Sequence, residues 1–71
     1  MTAGEQAIRV NGDDLKVPCG CTVQDLLVRL ECRSRRVAVA LNRDIVPRSA
    51  FGSTPLTEGD RVEILEAVGG G

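Results

Sequence analysis

Apolar and polar positions alternate at the start of this chain and then change period. Ile8 and Val10, then Leu15 and Val17, are spaced two apart around Asn11-Gly12-Asp13-Asp14. Period-two spacing puts such residues on one face of a strand, and Asn-Gly between two such runs signals a hairpin. A two-residue loop at Asn11-Gly12 sets Asp13 opposite Val10. A four-residue loop pairs Val10 with Leu15 and Ile8 with Val17, apolar against apolar, and is the expected one. From Val23 the spacing becomes helical: Val23, Leu26, Leu27 and Leu30 make one stripe. Thr22 followed by Asp25 fits a capping box, so a helix is expected over residues 23–32 with its stripe packed on a sheet.

Val37-Ala38-Val39-Ala40-Leu41 is continuously apolar and short, which predicts a strand buried on both faces or nearly so. Asn42-Arg43-Asp44 is a polar break. Ile45-Val46-Pro47 reads as a brief edge strand, since proline lacks the amide that a central ladder needs. Glu58-Gly59-Asp60 is a turn. Residues 61–68 form the last strand, with Val62 and Ile64 on one face and Leu65 and Ala67 on the other. Apolar residues on both faces predict an interior strand.

The order is strand, strand, helix, strand, short strand, strand. That is an α+β arrangement: a mixed sheet of four to five strands with one helix across one face. The last strand, parallel to the first and beside it, lies centrally and projects the C-terminal glycines off the sheet. One domain is expected over residues 1–68, with a glycine tail over 69–71.

That tail, Gly69-Gly70-Gly71, carries no side chains and is expected to end in a free α-carboxylate. Glycine adopts backbone angles other residues avoid. Three extended residues reach roughly 10 Å, enough to deliver a carboxylate into a partner's active site.

Composition narrows the chemistry. With 71 residues there is room for one domain. A net charge of −1 makes no electrostatic case for nucleic acid or an anionic membrane. The basic cluster Arg29, Arg33, Arg35 and Arg36 has no interleaved aromatics and reads as a solvated helix end. The acidic Glu58, Asp60, Glu63 and Glu66 read as a solvated face. No histidine is present, which removes the usual general base near neutral pH. Three cysteines, an odd number, and a polar N-terminal stretch without an apolar segment suggest a reduced, cytoplasmic setting.

Cys19 and Cys21 precede the helix and Cys32 lies at its end. Their spacing is not one of the usual zinc patterns, and no metal site is expected. A thiol relay through Cys19 or Cys21 is conceivable, with Cys21 acidified near the helix N-terminus, but unreactive turn and helix residues are the favoured reading. Phe51, the single aromatic, is either a plug under the loop 47–55 or part of a partner-docking surface with Ile45, Pro47, Leu56 and Val68.

Three segments together resemble the ThiS family of thiamine-pathway sulfur carriers: the stretch 39–48 with its Asn42-Arg43-Asp44-Ile45-Val46-Pro47-Arg48, the stretch 56–64 around Gly59-Asp60-Arg61-Val62-Glu63, and the terminal glycines. Val10-Asn11-Gly12 and Thr22-Val23 followed by Leu26-Leu27 fit the same pattern. The resemblance implies a β-grasp (ubiquitin-like) fold. It implies a protein that is not an enzyme and binds no cofactor of its own. An E1-like adenylyltransferase (ThiF-like) would use ATP and magnesium to adenylate the terminal carboxylate. Sulfur from a donor such as a cysteine desulfurase would convert it to a thiocarboxylate, which a thiazole synthase (ThiG-like) would consume. By position Gly71 bears the reactive carboxyl. Most members end in two glycines, so Gly70 is the alternative terminus if Gly71 is removed. Other readings are the small subunit of molybdopterin synthase, a carrier for another sulfur metabolite, and a ubiquitin-like protein modifier.

Overall fold

The computed structural model describes residues 4–32 and 36–66. Strand β1 (Glu5–Val10) turns into β2 (Asp13–Pro18), and helix α1 (Val23–Arg29) comes next. Strands β3 (Val37–Leu41) and β4 (Asp44–Val46) form a second hairpin, a 3-10 helix covers Arg48–Ser53, and β5 (Arg61–Glu66) closes the order. The sheet runs β2-β1-β5-β3-β4. As the sequence leads one to expect, β5 is central and parallel to β1; its other neighbour, β3, runs antiparallel to it.

The first hairpin departs from the expected loop. Ile8 pairs with Leu15, Val10 with Asp13 and Gln6 with Val17, so the loop is the two-residue Asn11-Gly12. Both loop residues have positive φ, 51° and 88°. That is the turn whose twist matches the flanking strands, and turn geometry outweighs apolar matching here. Val17 therefore faces Gln6, which is buried; its Nε2 donates to the Leu56 carbonyl at 2.8 Å. Asn42-Arg43 repeats the turn in the second hairpin, with φ of 50° and 73°.

Helix α1 starts as its capping box requires. Asp25 N–H donates to Thr22 Oγ1, and Thr22 N–H donates to Asp25 Oδ2. It ends earlier than expected, with Leu30 as its cap. Glu31 adopts φ 56°; its N–H donates to Val28 O, and Cys32 N–H donates to Leu27 O. This pair of bonds is a Schellman closure, which satisfies the last helical carbonyls and stops the helix. Val23, Leu26 and Leu27 enter the core, whereas Leu30 and Val28 stay exposed.

The core joins Ile8, Val10 and Val17 of the first hairpin to the helix stripe, and adds Val39, Val46, Phe51, Leu56 and Val62. Strand β3 is not buried on both faces. Val39 is inside, but Ala38 is exposed, because a single helix covers only one side of the sheet. On β5, Val62 and Ile64 turn inward and Leu65 outward, as the alternation requires. Residues 67 and 68 of the expected last strand lie outside the described residues.

Candidate functional site

The site is built around β5, since this strand leads to the glycines. Its start is held from both sides. Asn42 N–H donates to the Arg61 carbonyl at 2.7 Å, and Arg61 N–H donates to Asn42 Oδ1 at 3.0 Å. Asn42 Nδ2 reaches Asp60 Oδ1, while Asp60 Oδ2 accepts from Thr57 N–H at 2.7 Å. Asp60 is thus buried among donors and is not part of a solvated face; Glu58, Glu63 and Glu66 are exposed as expected. On the β1 side, Glu58 Oε1 accepts from Ala7 N–H, Gly59 N–H donates to Ala7 O, and Arg9 N–H donates to Asp60 O. Gly59 has φ 84°, a conformation that favours glycine in this turn. Asn42, Thr57, Glu58, Gly59 and Asp60 are among the residues that make this sequence recognisable. Their work is mechanical: they fix where β5 begins and where it points.

The outer face of the sheet near the end of β5 carries an apolar groove of about 270 Å³. Ala38 and Ala40 form its floor between Leu65 and Ile45, with Asn11 and Glu63 on its edge. Ile45 is 73% exposed and Leu65 72%, unusual for large aliphatic side chains. Register explains the grouping: Ala40 faces both Ile45 and Glu63, and Ala38 faces Leu65. Sequence reasoning finds Ile45 but misses Leu65, which the alternation marks only as a sign that β5 is interior. The available signal is the alanine pair opposite it, too small to cover it.

The remaining docking candidates separate. Pro47 is exposed, directly before the 3-10 helix. Phe51 and Leu56, 4% and 2% exposed, are core residues and offer no docking surface. Phe51 is the plug under the loop. Val68, Gly69, Gly70 and Gly71 lie outside the described residues, as do Arg33 and Arg35 of the basic cluster.

Cys19 is exposed, Cys21 buried and Cys32 half-buried, and none of the three is in a disulfide. Burial pushes the Cys21 thiol above its ordinary range, and the Asp25 carboxylate adds to this, with Arg29 opposing. This reverses the expected acidification. Desolvation and the capping carboxylate outweigh the Arg29 guanidinium. Among the described residues no group of three or more His, Cys, Asp or Glu is placed to hold a metal, and no helix is long and apolar enough to cross a membrane.

The model of the ThiS family matches residues 4–71, nearly the whole chain and the glycines with it. The chain belongs to the ThiS family. A crystal structure of the thiamine biosynthesis protein ThiS from Geobacter metallireducens superposes with a TM-score of 0.80 at 35% identity, covering 93% of this chain and all of that one. The sulfur carrier protein ThiS of Escherichia coli is 31% identical over 64 residues, 90% of this chain and 97% of that protein. A thiazole synthase of Paramagnetospirillum magneticum is 39% identical over 62 residues. There the match takes in 87% of this chain but 19% of the synthase, so this chain spans about a fifth of that relative. The ThiS likeness makes the fold a β-grasp, in agreement with the strand order read from the sequence.

Proposed function

We propose that this chain is a sulfur carrier of thiamine biosynthesis that works as a protein substrate and not as an enzyme. The observation that carries the reading is the family match, which runs to Gly71 and so includes the glycine terminus along with the fold. The terminus dictates the chemistry. A carboxylate is a poor acyl donor until one oxygen becomes a leaving group. An activating enzyme with ATP and magnesium supplies this: the Gly71 carboxylate attacks the α-phosphorus, pyrophosphate departs, and an acyl adenylate remains. The outer sulfur of a persulfide, formed on a donor such as a cysteine desulfurase, then displaces AMP to give an acyl disulfide, and a thiol reductant cleaves its S–S bond to leave a thiocarboxylate for a thiazole synthase.

This chain's own residues do the presenting. Asn42 and Asp60 fix the start of β5, and Asn11 fixes it further along, so the strand is a stiff mount for the glycines. The Ile45–Leu65 groove is the surface on which the activating enzyme docks while the tail is inside its active site. No histidine and no nucleophile-base pair is needed. That the relative in Paramagnetospirillum magneticum is a thiazole synthase containing a region similar to this chain supports a thiazole synthase as the consumer of the sulfur. Thiols outside any disulfide fit a reduced cytoplasm.

The test is an intact mass with C-terminal fragmentation after incubation with the activating enzyme, ATP and a sulfur source. Fragmentation is required because exchanging oxygen for sulfur is nearly isobaric with oxidising Met1 or a cysteine. Sulfur on Gly71 is the expected result; sulfur on Gly70 after loss of Gly71 revises the terminus. An unchanged terminus, with an enzyme active on another carrier, overturns the carrier reading. Isopeptide adducts on lysines would replace it with a protein modifier.

A further inference from the structure

The two sides of β5 are not equally occupied. In an antiparallel pair, successive residues turn their main-chain groups alternately toward and away from the neighbouring strand. Asn42 N–H donates to Arg61 O, so Arg61, Glu63 and Leu65 turn theirs toward β3. Asp60, Val62 and Ile64 turn theirs toward β1. There the Asp60 and Val62 carbonyls accept from Arg9 N–H and Asn11 N–H, both at 2.9 Å. The Ile64 main chain is taken by the Asn11 side chain.

Glu66 is next in that series. It is paired with Val37 on the β3 side, yet its N–H and C=O face the side on which β1 has already ended. Strand β1 stops at Val10, and Asn11-Gly12 carries the chain away into β2. Among the described residues nothing pairs with the Glu66 main chain there. Among the described residues the strand that leads to the glycines therefore offers one open rung, in line with a rung that the Asn11 amide already imitates.

We propose that this open edge of β5 at Glu66 is a β-addition site, and that its occupant is an extended segment of the enzyme that adenylates the terminal carboxylate. The inference rests on the carrier reading above. Before adenylation nothing covalent holds the carboxylate in the active site, and glycines offer no side chains to grip. Main-chain hydrogen bonds are then the available handle for setting how far the terminus reaches, as in other peptides that add to a sheet edge. The open rung at Glu66 supplies that handle immediately before the segment to be positioned.

Proline at 66 removes the N–H that faces the open edge and leaves the β3 ladder intact, because that ladder uses Leu65 and not Glu66. Alanine at 66 removes the carboxylate and keeps the N–H. Affinity for the adenylating enzyme, measured without ATP, should fall at least about tenfold for Glu66→Pro and stay within about twofold for Glu66→Ala, since one hydrogen bond is lost and the ring blocks an incoming strand. Equal affinities for the two variants overturn the proposal. If Glu66→Pro lowers the melting temperature appreciably, exchange of the Glu66 amide in the unaltered chain decides instead. Strong protection on adding the enzyme is expected, and unchanged exchange overturns the proposal. If the unaltered chain self-associates and Glu66→Pro abolishes this with enzyme affinity intact, the edge belongs to a second copy and the proposal is overturned. Sulfur loading of the unaltered chain, with Glu66→Pro binding unimpaired, removes only the edge; an unmodified terminus removes the carrier reading and this inference together.

Discussion

The side-chain amide of Asn11 is paired to the main chain of Ile64 in both directions. Ile64 N–H donates to Asn11 Oδ1 at 2.8 Å, and Asn11 Nδ2 donates to the Ile64 carbonyl at 3.2 Å. A turn residue 53 positions away thus stands in for the next residue of β1. Asn11 also has φ 51°, so one residue closes the hairpin and holds the strand that leads to the tail. Asn11→Gly keeps the turn and deletes both bonds. It should cost about 1 kcal/mol in urea unfolding, the ordinary net worth of exposed hydrogen bonds. Amide exchange should quicken at Ile64 more than at Val39.

Among the described residues, two other than glycine or asparagine are held in the left-handed region, Glu31 and Arg43. Glu31 closes the helix, and Arg43 occupies the turn position that Gly12 fills in the first hairpin. A side chain in this conformation costs on the order of 1 kcal/mol relative to glycine. Glu31→Gly and Arg43→Gly should each stabilise the chain by about 0.5–1 kcal/mol, part of the gain being offset by a freer unfolded chain. In a domain this small that raises the melting temperature by about 2–8 °C, readable by calorimetry.

These turns also mark the limit of what the residue pattern conveys. Strand order, the Thr22–Asp25 box and the edge position of β4 come from local signals strong enough to survive packing. The first register does not, because the apolar match of Val10 with Leu15 outweighs, on paper, the Asn11-Gly12 pair that a two-residue turn requires. The end of α1 is not legible either, because glutamate at 31 gives no stop signal. Burial of Gln6 is invisible in the sequence, since its partner is the carbonyl of Leu56, 50 residues away. On the site, the glycine tail is an expectation from composition, and it lies outside the described residues. The groove is not legible, because it needs Ile45 and Leu65 brought together by two registers.

Cys21 should behave as the least reactive thiol. Its thiol is raised by burial and by Asp25, so a thiol-specific reagent near neutral pH should label Cys19 readily and Cys21 only on unfolding. The linkage has a definite sign. The unfolded chain ionises this thiol at ordinary alkaline pH while the folded chain resists, so the folded chain binds more protons there. Stability should fall as pH rises through the ordinary thiol range, and the fall should stop once the folded thiol also ionises. Cys21→Ala should remove that component of the alkaline loss. A variant with Cys19→Ser, Cys21→Ala and Cys32→Ser should still accept sulfur at its terminus; failure to load while folded would revive a thiol relay.

Phe51 and the Ile45–Leu65 groove give opposite expectations for residues that look equally apolar in the sequence. Phe51 is enclosed, so Phe51→Ala should cost about 3–5 kcal/mol and melt much of a domain this size. Ile45→Asp and Leu65→Asp change side chains that are already mostly in water, and each should shift stability by less than about 1 kcal/mol. Their effect should appear in docking instead. On the docking proposed above, an aliphatic side chain of the activating enzyme would sit over the alanine floor between Ile45 and Leu65, and an aspartate there would be desolvated without a partner. Adenylation should therefore show a raised KM for each carrier variant with kcat little changed, because docking is disturbed and the carboxylate chemistry is not. Measured pyrophosphate release against carrier concentration separates the two constants. A fall in kcat at unchanged KM would place the groove in tail positioning, and unchanged kinetics for both variants would remove it from the interface.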